Sequence, residues 1–122
     1  MRGDEFIFEN LDVYQKSLSF AVEICKFGGH IPFEYSRIRD QFIGAALSVP
    51  LNIAEGSGRG SNKDKMNFYK IGRSSAFECI PLIEICFKLN LIDKFKAVNF
   101  KKQICDISKM LSGLINYHKE SK

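Results

Sequence analysis

Residues 94–118 read KFKAVNFKKQICDISKMLSGLINYH, and their apolar side chains recur in alternating steps of three and four. This spacing predicts a helix over about Lys94–His118, with Asp93 as its N-cap. One face of that helix carries the seam by which helices pack in left-handed bundles. The seam consists of Ala97, Phe100, Ile104, Ile107, Leu111, Leu114 and His118.

Two periodic segments in the N-terminal half predict helices over about residues 11–27 and 33–55. We expect Asn10 to be the N-cap of the first helix and Gly28-Gly29 to form its left-handed C-cap. The main buried stripe of the first helix is expected to be Leu11, Tyr14, Leu18, Ala21, Val22 and Cys25. That of the second is expected to be Ile38, Phe42, Ala45, Ala46, Val49 and Ile53.

A further helix is expected to begin after Ser61, its N-cap, and to end near Leu89, with Asn90 as C-cap. Pro50 lies inside the second helical pattern and Pro81 inside this one. A proline removes one backbone donor and crowds the preceding turn, so each is predicted to kink its helix. The apolar spacing resumes beyond both prolines, so neither helix is expected to end there.

The expected fold class is all-α, because no segment shows sustained strand alternation. Four helices joined by short connections predict an antiparallel up-down four-helix bundle, kinked at its prolines. At 122 residues the chain has the usual size of one domain. We therefore expect a short tail over residues 1–9 and a single bundle domain over residues 10–122.

The first two helical patterns contain more apolar residues than one bundle core requires. A second stripe on each helix lies away from the first, and exposed apolar area of this extent favours self-association. The alternative is a larger intramolecular core with Phe6-Ile7-Phe8 packed into it. The residues expected to form subunit contacts are Val13, Phe20, Ile24, Phe27, Ile43, Leu47 and Leu51.

The net charge of +4 is concentrated in the C-terminal half of the chain, where residues 93–122 hold seven basic and three acidic side chains. Opposite the apolar seam, one arc of the last helix is rich in lysine. Such an arc is either a solvated helix face or a surface that holds a polyanion such as nucleic acid. The candidate nucleic-acid-binding residues are Lys94, Lys101, Lys102, Lys109, Lys119, Lys63, Lys70, Arg73 and Arg59.

The sequence carries no pattern typical of an enzyme, a metal site or a cofactor site. Residues 56–61 are rich in glycine but lack the Gly-Lys-Ser/Thr ending of a phosphate-binding loop. Neither histidine follows a glutamate by three residues, as a di-iron bundle requires. The four cysteines, Cys25, Cys79, Cys86 and Cys105, form no Cys-x-x-Cys pair and are expected to be small buried hydrophobes. Such cysteines are typical of a reducing compartment, so we expect a cytoplasmic protein. No apolar run is long enough to predict a membrane span.

Two stretches resemble a known family. They are NLDVYQKS at residues 10–17 and RDQF at residues 39–42, which continues as AALSVPLNIAEGSGR at residues 45–59. Both resemble the four-helix bundle proteins encoded in intervening sequences of bacterial 23S rRNA, whose fold is shared by the accessory variability proteins of diversity-generating retroelements. The usual residue before Asn52 is Ser, where this chain has Leu51.

The resemblance implies an antiparallel bundle that assembles into a ring, commonly a pentamer, and binds nucleic acid and, in the retroelement branch, a reverse transcriptase. Within the motif we expect a structural role for Asn52, Glu55, Gly56 and Gly58. Glu55 is expected to pair with Arg59 or Arg73 and fix the loop; alternatively Arg59 is free to meet phosphate.

Two functional hypotheses follow from these patterns. The first is a non-enzymatic, ring-forming protein that binds RNA or DNA through backbone phosphates, without base-specific readout. The second is a protein-interaction scaffold or accessory subunit, for example of a reverse transcriptase, on which the lysine arc serves solubility or docking.

Overall fold

The computed structural model describes residues 6–120, and within that range the chain is helical with no β-strand. Residues 1–5 of the expected tail lie outside the described residues. Two short 3-10 turns, Ile7–Asn10 and Phe33–Tyr35, precede the first and second long helices. The long helices are α1 (Asp12–Gly28), α2 (Ser36–Ser57), α3 (Asn62–Lys88) and α4 (Lys94–Glu120). The prediction of four helices is confirmed.

Two of the predicted helix caps, Ser61 and Asp93, are confirmed, whereas the C-cap of α3 is Leu89, one residue before the predicted Asn90. The Ser61 hydroxyl oxygen accepts a hydrogen bond from the backbone N–H of Asp64 at 3.1 Å. An Asp93 carboxylate oxygen accepts one from the backbone N–H of Lys96 at 2.7 Å. Asn90 has φ 61°, the left-handed conformation that terminates many helices. The Ser61 and Asp93 side chains each satisfy a backbone N–H that the start of a helix leaves without a partner, and at the end of α3 the backbone N–H of Leu91 donates to the backbone oxygen of Cys86 at 2.9 Å.

The predicted caps of the first helix are wrong. Asn10 is the last residue of the 3-10 turn, and Leu11 occupies the N-cap position of α1 without a side-chain hydrogen bond. At the other end Gly29 is right-handed, with φ −62°. Gly28 instead serves packing, because a Cβ there would lie 2.7 Å from Cδ1 of Ile43 on α2. Glycine at this position therefore permits close approach of α1 and α2.

Both internal prolines lie within uninterrupted helices. The α2 helix continues to Ser57 and α3 continues to Lys88, in each case about two turns beyond the proline. Neither proline ends its helix, as the resumed apolar spacing predicted. The bend at each proline stays a prediction.

Each helix packs against its neighbour in sequence, and α1 also packs against α4, so the four helices enclose one core. Four phenylalanines from three helices meet edge to face in this core. Phe20 and Phe27 on α1 each have a ring centroid 5.9 Å from that of Phe100 on α4, and Phe42 on α2 lies 6.4 Å from Phe100. Edge-to-face contacts of this kind stabilise aromatic cores beyond their buried area.

The predicted burial is confirmed along most of α2, where only Ile38 is partly buried, and along most of α4. Phe42, Ala45, Ala46, Val49 and Ile53 are buried, and the α4 seam is buried from Ala97 to Leu111. Beyond Leu111 the core position is taken by Ile115, while Leu114 and His118 are only partly buried. A helix of 3.6 residues per turn drifts away from a strict seven-residue seam, which accounts for this shift.

The predicted faces of α1 are reversed for most of their residues. Val13, Phe20, Ile24 and Phe27 are all buried within the chain, so their expected role in subunit contacts is wrong. Three members of the expected buried stripe, Leu18, Val22 and Cys25, are exposed instead, with Leu18 at 38% and Val22 at 47%. Ala21 is buried as predicted, and Leu11 and Tyr14 are partly buried against the core. Both stripes of α1 are apolar, and the core takes the one whose phenylalanine rings fit against Phe100. On α2, Ile43 is partly buried and Leu47 and Leu51 are exposed, so they remain available for contacts.

Candidate nucleic-acid interface

A long groove runs between α3 and α4 on the outer side of the bundle. Lys101 on α4 bridges it to Glu84 on α3 with a salt bridge of 3.1 Å. This bridge separates a section of about 580 Å³ from a smaller one of about 340 Å³, and Lys101 lines both. The positions of the predicted basic residues are described below relative to the larger section. Its walls are formed by Phe77 and Ile80 of α3 and by Ile104, Cys105, Ser108, Lys109, Ser112, Gly113 and Asn116 of α4.

The predicted lysines of α4 are placed around this groove. Lys109 lines the larger section, and Lys102 lies one helical heptad before it, on the same side of α4. Lys94 lies one heptad before Lys101, and it is exposed, as are Lys102, Lys109 and Lys119. The lysine arc of α4 therefore faces solvent along the α3 side of the helix.

Lys101 departs from the prediction of a free, exposed charge. Its side chain is partly buried, and Glu84 neutralises its ammonium group. The pair is solvent-accessible on both sides, so it adds little to stability. As a result Glu84, the one carboxylate among the described residues that line the groove, is already paired with a lysine.

Among the predicted basic residues of α3, Arg73 contacts a wall of the same groove. Arg73 donates a hydrogen bond from Nη1 to the hydroxyl of Ser112 on α4 at 2.9 Å, which fixes its guanidinium at the wall of the groove. Lys70 and Lys63 precede Arg73 by three and ten residues and are exposed, so the helical period places them on that side of α3. The two helices thus present cationic side chains from both walls.

Arg59 is committed to the loop after α2. Its Nη2 lies 2.7 Å from a carboxylate oxygen of Glu55, and its guanidinium lies 4.6 Å from the ring centroid of Phe68. Of the two partners expected for Glu55, Arg59 is the one that pairs. The ion pair and the cation–π contact hold the loop, although part of the guanidinium remains accessible.

The motif residue Asn52 joins α2 to α3 through a polar network. Its amide donates to the backbone oxygen of Ser48 at 2.7 Å and to the Ser48 hydroxyl at 2.9 Å. The Ser48 and Ser75 hydroxyls then lie 2.8 Å apart, across the two helices. These contacts favour the structural role expected for Asn52.

The two glycines of the motif differ in their surroundings. A Cβ at Gly56 would lie 2.9 Å from Cβ of Phe68 and 3.0 Å from Cε1 of Tyr69, so any larger residue must push α3 away. Gly58 caps α2 in a right-handed conformation, and a Cβ there would meet only ordinary contacts. The close crossing of α2 and α3 therefore requires glycine at position 56 and not at position 58.

An exposed aromatic ring in the groove was not among the predicted site residues. Phe77 is 56% exposed beside Lys101 and Lys109. The signal available in the sequence was the density of apolar residues in the second half of α3, which does not indicate which of them faces solvent. Near the floor, the Ser108 hydroxyl is buried and has no hydrogen-bond partner among the described residues.

A second groove, between α1 and α4, has mixed charge. Its volume is about 310 Å³, and both Lys16 and Asp106 line it. Gln103 of α4 closes one side by donating a hydrogen bond to Glu23 of α1 at 3.0 Å. Acidic and basic groups together make it a poorer site for a polyanion than the α3–α4 groove.

The predicted burial of the cysteines is confirmed for two of the four and wrong for the other two. Cys79 and Cys86 are buried, whereas Cys25 and Cys105 are exposed. Burial raises the pKa of the Cys79 thiol to about 12, and that of Cys86 is raised for the same reason.

Among residues 6–120, no cluster of three or more histidine, cysteine or acidic side chains could hold a metal ion. No helix in the described part of the chain is long and apolar enough to cross a bilayer.

An apolar face lies across α1 and α2. Leu18 and Val22 of α1 and Leu47 and Leu51 of α2 are all exposed, and the partly buried Ile43 lies between the helices, near Gly28. Helical periodicity places these side chains on the outer side of the α1–α2 pair. We call these five residues the α1–α2 apolar face.

The chain is similar to a known protein family and to a solved structure. A family model described as 23S rRNA-intervening sequence protein matches residues 9–113. No curated protein matches the chain. A crystal structure of a protein of unknown function from the S23 ribosomal protein family of Bacteroides thetaiotaomicron is similar, with a TM-score of 0.80 and 24% identity over 85% of this chain and 95% of that one. At this identity the similarity concerns the fold alone.

Proposed function

This chain belongs to the family of 23S rRNA-intervening sequence proteins, and from its surface we propose that it is a non-enzymatic, cytoplasmic protein that binds RNA or DNA through backbone phosphates. The observation that carries the proposal is the α3–α4 groove. Lysine and arginine line or border both of its walls, and its one lining carboxylate, Glu84, is already paired with Lys101.

Phosphate contact explains this arrangement better than base-specific readout. Lysine ammonium groups act as point charges on flexible stems, so they attract phosphate without selecting a base. Arg73, the one arginine at the groove wall, is already hydrogen-bonded to Ser112. The affinity is therefore expected to vary little with nucleotide sequence.

Charge reversal in the groove tests the proposal. We expect Lys102→Glu with Lys109→Glu to weaken binding of unrelated RNA and DNA oligomers at least tenfold, because repulsion replaces attraction at two sites. The matched control, Lys16→Glu with Lys26→Glu, changes the net charge equally but acts on α1. Equal loss in both variants, or none in either, would contradict a localised interface; the readout is a binding isotherm at fixed salt.

We also infer that the helices run antiparallel, in up-down order. Along α2 and α3, Ser48 lies against Ser75 and Ser57 against Tyr69, so residue numbers rise on one helix as they fall on the other. The same opposition holds between α3 and α4, where the contacts are Arg73 with Ser112 and Glu84 with Lys101.

The ring expected from the resemblance is part of the proposal, with the pentamer as the favoured state. The α1–α2 apolar face supports self-association, since a partner would cover it. A ring of more than two copies needs this face to meet a different surface of the neighbour. Ile71 and Ile85 of α3, 49% and 42% exposed and two heptads apart, offer such a surface.

Light scattering tests the ring. It should give a native mass that is a multiple of 13.9 kDa, and a monomer at micromolar concentration would contradict the ring.

A protein-interaction scaffold, such as an accessory subunit of a reverse transcriptase, is the second candidate. It is favoured by Phe33 and Phe95, which are 87% and 82% exposed. Phe27 contacts Phe100 in the core, so the segments that carry Phe33 and Phe95 lie at the same end of the bundle. An absence of nucleic-acid binding at low salt would favour this second function.

A further inference from the structure

We propose that the larger section of the α3–α4 groove holds single-stranded nucleic acid, with one base stacked on Phe77. The inference rests on the proposed nucleic-acid binding and names its substrate class. It concerns the aromatic ring of Phe77, which makes no contact with the phosphates. Duplexes would bind the same lysines without reaching this ring.

Phe77 is placed where a base could reach it. The ring is 56% exposed, although the neighbouring Ala76 and Cys79 of the same helix are fully buried. Lys109 lines the groove beside it, and the exposed Lys102 lies one heptad before Lys109 on α4. Nonspecific binding of single strands combines these two elements, a cationic channel for the backbone and an aromatic side chain on which a base stacks.

The floor of the groove suits a base better than it suits water. Ile80, Ile104 and Cys105 give it an apolar surface, while Ser112 and Asn116 supply polar groups toward the α4 C-terminus. The Ser108 hydroxyl, 6% exposed, lines the same groove and lacks a hydrogen-bond partner among the described residues.

The dimensions favour one strand over two. The lining residues of α4 extend from Lys101 to Asn116, which corresponds to about 22 Å of helix. The volume of about 580 Å³ lies within the range of roughly 300–1,000 Å³ typical of ligand sites. In a duplex the base faces are stacked on one another, so only phosphates and groove edges could meet this wall. Phe77 would then gain nothing from duplex binding.

Tryptophan at position 77 gives a direct test, because the chain contains no tryptophan. In full-length Phe77→Trp protein, an oligothymidylate of about 12 nucleotides should quench the fluorescence at least twofold. An abasic oligomer of equal length and a duplex should bind through charge and leave the emission nearly unchanged. Quenching by all three ligands alike would overturn the stacking.

Removal of the ring gives the second readout. Because stacking on one aromatic side chain contributes about 1–3 kcal/mol per base, Phe77→Ala should weaken single-strand binding roughly 5- to 150-fold and leave duplex binding unchanged. Phe95→Ala is the matched control, since it removes an exposed phenylalanine outside the groove. Circular dichroism verifies that both variants keep their helices.

The outcomes separate this inference from the proposed function. Equal binding of single strands and duplexes, unchanged in Phe77→Ala, would overturn the inference and leave the phosphate interface in place. No binding of either ligand at low salt would overturn both. Binding of an acidic helical peptide with no binding of oligomers would also overturn both and would assign the groove to a protein partner.

Discussion

Gly56 lies within α2, at a point where that helix packs closely against α3. Its missing side chain leaves room for Phe68 and Tyr69, and a Cβ would also meet the backbone oxygen of Lys65 at 3.2 Å. We predict that Gly56→Ala lowers the free energy of unfolding by about 1–3 kcal/mol, as overpacking of a core does. Gly44→Ala is the control in the same helix: with open space around the new Cβ, it should stabilise the protein by about 0.5–1 kcal/mol. Urea denaturation of both variants measures the difference, and equal effects would contradict the close crossing.

His118 should make stability depend on pH. Burial, and secondly the positive charge of Lys65, lower its pKa from the ordinary value of 6.5. The unfolded chain therefore binds this proton at higher pH than the folded chain does, so stability falls as the pH decreases through about 6.5 and levels off below the folded pKa. His118→Gln should remove that part of the loss. Urea denaturation at pH 7.5 and 5.5 gives the comparison, and a wild-type minus variant difference that is the same at both pH values would show that His118 contributes nothing.

Single residues were predictable from the sequence where local chemistry decides their role. Ser61, Asp93 and Asn90 were recognised because a helix end needs a capping oxygen or a left-handed residue. The reason for Gly28 and Gly56 was not predictable, since it depends on which side chains another helix brings near. Phe77 was missed for the same reason: its exposure is set by the packing of α3 against α4.

At the scale of elements, the reversed faces of α1 give a clear prediction. Ile24 is fully buried and Val22 is 47% exposed on the other side of the helix. Ile24→Asp should unfold the bundle, because an unpaired carboxylate in an apolar core costs several kcal/mol. Val22→Asp should keep the helical content and lower the native mass if the α1–α2 apolar face joins subunits. Circular dichroism and light scattering measure the two effects, and the opposite pattern would restore the original assignment of faces.

Helix existence and approximate bounds were predictable because apolar spacing is a local property. The burial of α2 followed as well, since its main stripe contains Phe42 and small residues that allow close packing. The orientation of α1 did not follow, because both of its stripes are apolar. Only the contacts of Phe20 and Phe27 with Phe100, across about 75 residues of chain, distinguish them.

For the whole molecule, the two proposed surfaces belong to different helix pairs. In our proposal the α1–α2 apolar face contacts another copy of the chain, and the α3–α4 groove binds nucleic acid. Assembly of the α1–α2 apolar face against Ile71 and Ile85 of α3, which do not line the groove, would leave each groove open and would repeat its positive charge around a ring. Such repetition raises affinity for a long polyanion, because several sites can bind one strand.

The dependence of wild-type binding on salt tests the phosphate interface most directly. Each phosphate neutralised on a single strand contributes about −0.7 to the slope of log K against log salt, so about four contacts per groove should give a slope near −3. The measurement is a titration of a labelled oligonucleotide at several salt concentrations between about 50 and 200 mM. A slope of this size is the result we predict. A slope near zero, or no binding at the lowest salt, would contradict the assignment of the α3–α4 groove to nucleic acid.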